Sequence, residues 1–138
     1  MSSLSKSISS TSNRQVFTVS VWVKRTFFGS TGNIMGVGTA SSDSGKFGIG
    51  FNSNDELYVE TGATTYRNTA RRYTDSTGWY HIVVAFKSTD STAADRLKIY
   101  TNGVLEADYS ASSDVSLNQN TAVNESGKTQ YIGLDGGA

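Results

Sequence analysis

The 138-residue chain has no cysteine, which excludes a disulfide framework and any thiolate metal site. That fits assembly in a reducing compartment. Proline is absent too, an oddity in so loop-rich a chain that nothing in the sequence accounts for. Neither sign of charge is in excess, with 12 Lys and Arg against 12 Asp and Glu. No global field therefore draws the chain to nucleic acid or to an anionic membrane, and neither is expected as a partner. No apolar run approaches the ~20 residues of a membrane helix. The Ser-rich opening, Met1–Ser12, lacks the apolar core of a signal peptide.

What is abundant is turn and strand-surface chemistry. Ser (21) and Thr (16) make up more than a quarter of the chain, joined by 14 Gly and 9 Asn. Such a composition alone would suit disorder, but regularly spaced aromatic and β-branched runs argue against it. From Val16 to Lys24 the alternation is strict. Phe17, Val19, Val21 and Val23 fall on one face, and Thr18, Ser20, Trp22 and Lys24 on the other. Trp79–Lys87 alternates in the same way, after the break at Gly78. Asn102-Gly103, between Arg96–Thr101 and Val104–Tyr109, supplies two residues suited to positive φ and predicts a type I′ hairpin. Further strands are expected at 33–38, 46–52, 56–61, 64–68 and 129–134, with a polar loop over 110–128. The one helical turn expected lies near Asn68–Arg72. Length predicts one domain over 1–138, and the pattern predicts an all-β antiparallel sandwich.

Three stretches carry a family resemblance. Phe17-Thr-Val-Ser-Val-Trp-Val-Lys-Arg25, Gly78-Trp-Tyr-His-Ile-Val-Val-Ala-Phe86 and Arg96-Leu-Lys-Ile-Tyr-Thr-Asn-Gly-Val104 resemble, in order and spacing, successive strands of laminin-G-like domains. These belong to the concanavalin A-like lectin/glucanase superfamily. The resemblance covers nearly the whole chain and implies a jelly-roll sandwich. Ser9-Ser-Thr-Ser-Asn-Arg14 and Ser91-Thr-Ala-Ala-Asp-Arg96 are also similar to domains of marine phage tail and virion proteins. Relatives usually continue past Tyr131–Leu134 with one more strand, whereas this sequence stops at Gly136-Gly137-Ala138. The expectation is a sandwich lacking its final strand: a fragment of a longer chain, an incompletely identified sequence, or a domain whose open edge a neighbour completes.

Enzyme chemistry finds little support in these residues. Paired glycosidase carboxylates stand about 5–5.5 Å apart for retention or roughly 6.5–9.5 Å for inversion. Glu56 and Glu60, four residues apart on one strand at ~3.4 Å each, are separated by about 13–14 Å. Asp55 and Glu56 are adjacent and point to opposite faces. His81, the only histidine, sits mid-strand and reads as structural, with a satisfied hydrogen bond. Trp22 and Trp79 could act as sugar-stacking platforms, but mid-strand tryptophans are expected in the core.

No cofactor is expected. Calcium is the one ion that the resemblance brings forward, and Asp43, Asp55, Asp114 and Asp135 lie in expected loops. None of them forms a recognised calcium loop; Asp43 and Asp135 are kept as weak candidates beside the reading as solvated turn acids. Tyr66, Arg67, Arg71, Arg72 and Tyr73 form the one basic-aromatic cluster, suited to an acidic glycan, a phosphate or a neighbouring subunit. The bland alternative is a solvated loop balanced by Glu60 and Asp75.

The expected function is that of a non-catalytic module on a virion surface. It would decorate or cement a phage tail fibre or capsid as a homo-oligomer with other virion subunits, and would recognise glycans there. The alternative is a carbohydrate-binding module of a larger secreted or surface protein.

Overall fold

The computed structural model describes residues 3–38, 45–62 and 64–133. Its strands are β1 (Leu4–Ser7), β2 (Val16–Val23), β3 (Gly32–Val37), β4 (Phe47–Phe51), β5 (Glu56–Thr61), β6 (Thr64–Arg72), β7 (Tyr80–Lys87), β8 (Leu97–Thr101), β9 (Val104–Leu105), β10 (Tyr109–Ser112) and β11 (Thr129–Ile132). They form two antiparallel sheets. One has seven strands in the order β1-β11-β3-β4-β5-β6-β10, and the other has four in the order β2-β7-β8-β9. The expected all-β sandwich is the observed one.

Parity along the strands builds the core. Ile82, Val84 and Phe86 of β7 alternate inward with Leu97 and Ile99 of β8, all essentially without solvent contact. The large sheet answers with Val37, Phe47, Ile49, Leu57 and Val59. Rings join the layers: Phe17 meets Phe47 edge-on at 5.1 Å and Phe86 at 5.0 Å, and Tyr73 meets Phe51 and Tyr80 at 5.3 and 5.1 Å.

Turn chemistry fixes the connections. Asn102 and Gly103 both adopt positive φ, 50° and 81°, as the hairpin requires. Asp55 also has positive φ, 63°, and closes the β4–β5 turn. Gly50 permits a close crossing, because a Cβ there would lie 2.6 Å from the Gly32 carbonyl oxygen.

Several local expectations are corrected. No helix forms at Asn68–Arg72; β6 runs through to Arg72, because pairing with β5 and β10 satisfies its backbone. The helical turn is instead a 3-10 turn at Ala93–Arg96, leading into β8. The Ser-rich start contains β1, paired with β11 from Leu4–Ile132 to Ser7–Thr129. The second strand of the Asn102-Gly103 hairpin stops at Leu105, and Tyr109–Ser112 becomes a separate strand in the other sheet. The polar loop after it is anchored rather than solvated throughout: Val115, Ala122 and Val123 insert into the core.

Candidate functional site

The outer face of the four-stranded sheet carries the aromatic residues that the core did not take. On β2 the inward places go to Phe17, Val19, Val21 and Val23, so Trp22 must point outward with Thr18 and Ser20. Trp22 stands opposite His81 on β7, and Tyr100 of β8 lies opposite Val83. Trp79 precedes β7 and shares the outward parity of His81, because its neighbour Tyr80 packs on the core. The result is a face bearing Trp22, Trp79, His81 and Tyr100. Trp22 is 62% exposed and Trp79 58%. The expectation of core tryptophans is therefore wrong for both. The sequence held the signal: Trp22 shares its face with Thr18, Ser20 and Lys24, while the opposite face is wholly apolar.

The platform is held in place. The Trp22 and His81 rings stack at 4.8 Å with 23° between their planes. His81 Nε2 and Ser20 Oγ are hydrogen-bonded at 2.9 Å, so the histidine has the satisfied bond expected of it. The His81 N–H donates to Asn102 Oδ1 at 2.9 Å, tying the hairpin turn to the same end of the sheet. Before Trp79, Asp75 Oδ1 accepts from the Thr77 hydroxyl at 2.6 Å and from the Thr77 and Gly78 N–H groups at 2.8 and 3.3 Å. These bonds, the Thr77 hydroxyl first, hold the Asp75 carboxyl below the usual carboxylate range and shape the turn that presents Trp79.

A cleft of about 340 Å³ opens at the end of β2, with Val23, Lys24, Phe27, Asn33 and Phe51 among its lining. Phe27 projects from a rigid loop. Arg25, 6% exposed, donates to Asp55 Oδ1 at 2.8 Å and to the Phe27 carbonyl at 2.8 Å. Its guanidinium lies 4.2 Å from the Phe51 ring centroid, and the Gly29 N–H donates to the same Asp55 oxygen at 2.9 Å.

The basic-aromatic cluster is divided by the fold. Arg67 is 4% exposed and Tyr73 is 0% exposed, so these two cannot serve as surface contacts. Arg67 pairs with Val59 on the inward side of β6 and donates to the Tyr66 and Ser113 carbonyls. Tyr73 bonds Thr101 Oγ1 at 2.8 Å, and burial pushes its hydroxyl pKa up to about 12. Tyr66 is half-buried and donates to Gln119 Oε1. Arg71 is exposed and pairs with Glu106 at 2.9 Å, and Arg72 is exposed.

The acidic residues are likewise engaged separately. Glu56 accepts from Asn52 at 2.9 Å and Ser110 at 3.2 Å, and Glu60 pairs with Lys46 at 3.2 Å. Of the calcium candidates, Asp55 is bound to Arg25 and Asp114 lies 3.5 Å from Arg67. Asp43 and Asp135 lie outside the described residues. Among the described residues no group of three His, Asp or Glu gathers to hold a metal ion.

The model of one family matches residues 3–136, nearly the whole chain. The chain belongs to the concanavalin A-like lectin/glucanases superfamily. This laminin-G-type member also resembles, in fold, a heptameric SAP-like pentraxin from Limulus polyphemus, with a TM-score of 0.62 and 19% identity. The alignment covers 96% of this chain and 58% of the pentraxin chain, so the lectin-like domain spans little more than half that protein's length. No curated protein sequence matches it.

Proposed function

We propose that this domain is a non-catalytic carbohydrate-binding module whose platform is the outer face of the four-stranded sheet. One observation carries the reading. The chain's only two tryptophans are both more than half exposed and share that face with His81. Exposing so much aromatic surface on a packed sandwich is costly unless a ligand covers it. A pyranose ring suits such a face, because its C–H side stacks on an aromatic ring while its hydroxyls reach the rim. Here the rim is polar, with Thr18, Ser20 and Asn102. Binding without bond cleavage is favoured because Glu56 and Glu60 are each held by different partners. Exposed Arg71 and Arg72 are candidates for a secondary contact with an acidic glycan.

A virion surface is the setting we favour, on the resemblance of Ser9–Arg14 and Ser91–Arg96 to phage structural domains. There the module would be a decorating subunit that adheres to glycans. The second setting is a larger secreted or surface protein that the module targets to polysaccharide.

Titration with a panel of soluble neutral and acidic polysaccharides, read by tryptophan fluorescence, tests the site directly. One or more should shift the emission. Trp22→Ala and Trp79→Ala should each weaken binding by about 2 kcal/mol, roughly 30-fold. A panel with no fluorescence response, or undiminished binding after both substitutions, would overturn the reading.

A further inference from the structure

The outer face of the four-stranded sheet carries charge of one sign. Its outward positions follow from parity, because Val19, Val84 and Ile99 pack inward on the core. No outward position of β2, β7, β8 or β9 holds Asp or Glu, and Lys24 follows β2 on the same parity. Lys87 and Lys98 are outward too. The whole chain has no net charge, so the imbalance belongs to this face.

The three lysines are not equivalent. Lys87 pairs with Asp90 at 3.2 Å and Lys98 with Asp95 at 2.9 Å, both acids lying in the connection between β7 and β8. Such exposed pairs contribute little and yield readily to another anion. Lys24 is exposed and forms no ion pair with any described residue. Asp75 feels its charge, but Asp75 Oδ1 is committed to the Thr77 and Gly78 donors of its own turn.

Lys24 also stands where a ligand on the platform would meet it. The last pair of β2 and β7 is Val23–Tyr80, so one step further Lys24 lies level with Trp79. It lines the cleft at the end of β2 as well. No carboxylate is among the lining residues of that cleft, and its other cation, Arg25, is already matched by Asp55 at 2.8 Å. An anion entering there meets an unmatched cation and no like charge. Lys98 marks the far end of the platform. It lies opposite Ala85, and so level with Thr18, six residues or ~20 Å along the strands from Lys24. Trp22, His81 and Tyr100 lie between the two lysines.

We infer that the platform takes a linear anionic polysaccharide laid along the strands, with its carboxylate or sulfate groups on Lys24 and Lys98 and its rings stacked on Trp79 and Trp22. The inference rests on the carbohydrate-binding reading above and narrows it to one ligand class. A neutral glycan gains nothing from the lysines, whereas a polyanion meets no carboxylate on the outward positions of the sheet.

Two matched pairs of polymers test this: polygalacturonate against its methyl ester, and dextran sulfate against dextran. Each pair keeps one backbone and removes the charge, and tryptophan emission reads the binding. At least one charged member should bind about tenfold tighter than its neutral match, and the responding pair distinguishes carboxylate from sulfate. Most of that advantage should vanish in about 1 M salt, where screening acts within about 3 Å. Lys24→Gln should weaken the charged polymer about tenfold, and Lys24→Arg, which keeps the charge, should not. Charged polymers that bind no tighter than their neutral matches overturn the inference. So does a preference for charge that Lys24→Gln leaves intact, or that Lys24→Arg also abolishes. The two readings fail separately: a neutral polysaccharide bound best, and bound through Trp22 and Trp79, overturns only the anionic ligand, whereas no response to any polymer overturns the platform too.

Discussion

Arg67→Ala should be strongly destabilising, although the residue belongs to a stretch that reads as a solvated basic patch. The side chain is 4% exposed and points inward from β6 opposite Val59. Its guanidinium donates to the Tyr66 carbonyl at 2.9 Å and to the Ser113 carbonyl, and lies 5.3 Å from the Tyr109 ring centroid. Hydrogen bonds from a charged donor contribute about 1.5–3 kcal/mol each. The Tyr66 carbonyl retains a bond from the Ser113 N–H at 2.9 Å, so the loss falls mainly on the Ser113 carbonyl and on packing against Tyr109. Asp114, at 3.5 Å and 57% exposed, adds little. The expected net cost is about 3 kcal/mol, which for a domain of this size lowers Tm by roughly 10 °C. Arg72→Ala, at an exposed position, should stay within about 0.5 kcal/mol. Urea unfolding followed by far-ultraviolet circular dichroism compares the two. Equal, small effects for both would refute the claim that Arg67 is a structural plug rather than a surface contact.

Two further predictions concern the core. Tyr73 has its hydroxyl pKa raised from 10.0 to about 12 by burial. The unfolded chain therefore loses this proton first, and stability should be intact below pH 10 and fall as pH rises toward 12; Tyr73→Phe should flatten that part of an alkaline unfolding curve, and an unchanged curve would exclude Tyr73 as the cause. Gly50→Ala should cost about 2–3 kcal/mol in thermal unfolding, because its Cβ would lie 2.6 Å from the Gly32 backbone oxygen, whereas Gly48→Ala meets only side-chain atoms of Glu60, the nearest at 3.1 Å, and should cost less. Equal costs for the two glycines would count against the close crossing at Gly50.

Strands with a buried face were legible in advance. β2, β7 and the Asn102-Gly103 hairpin announce themselves because one parity is apolar and the turn residues match the required φ. β1 and β10 were not, since both are short, polar edge strands that gain order only from β11 and β6. The 68–72 stretch misled for a related reason: β6 is extended there because β5 and β10 pair with it, despite register shifts beside Tyr58 and Glu60.

The site was half legible. The outward direction of Trp22 follows from parity alone, yet a preference for buried tryptophan concealed it. The rigid loop behind Phe27 depends on Arg25 and Asp55, which are 30 residues apart, and no local pattern announces that pair.

By itself, the sequence determined the fold class, the inward and outward faces of each main strand, and the turns where glycine and asparagine must stand. These are local properties, set by backbone dihedrals and a two-residue period. Tertiary structure alone decided which charged residues are buried and which aromatics share a surface. Those depend on the strand order and register of two sheets, and residues far apart in the chain fix both.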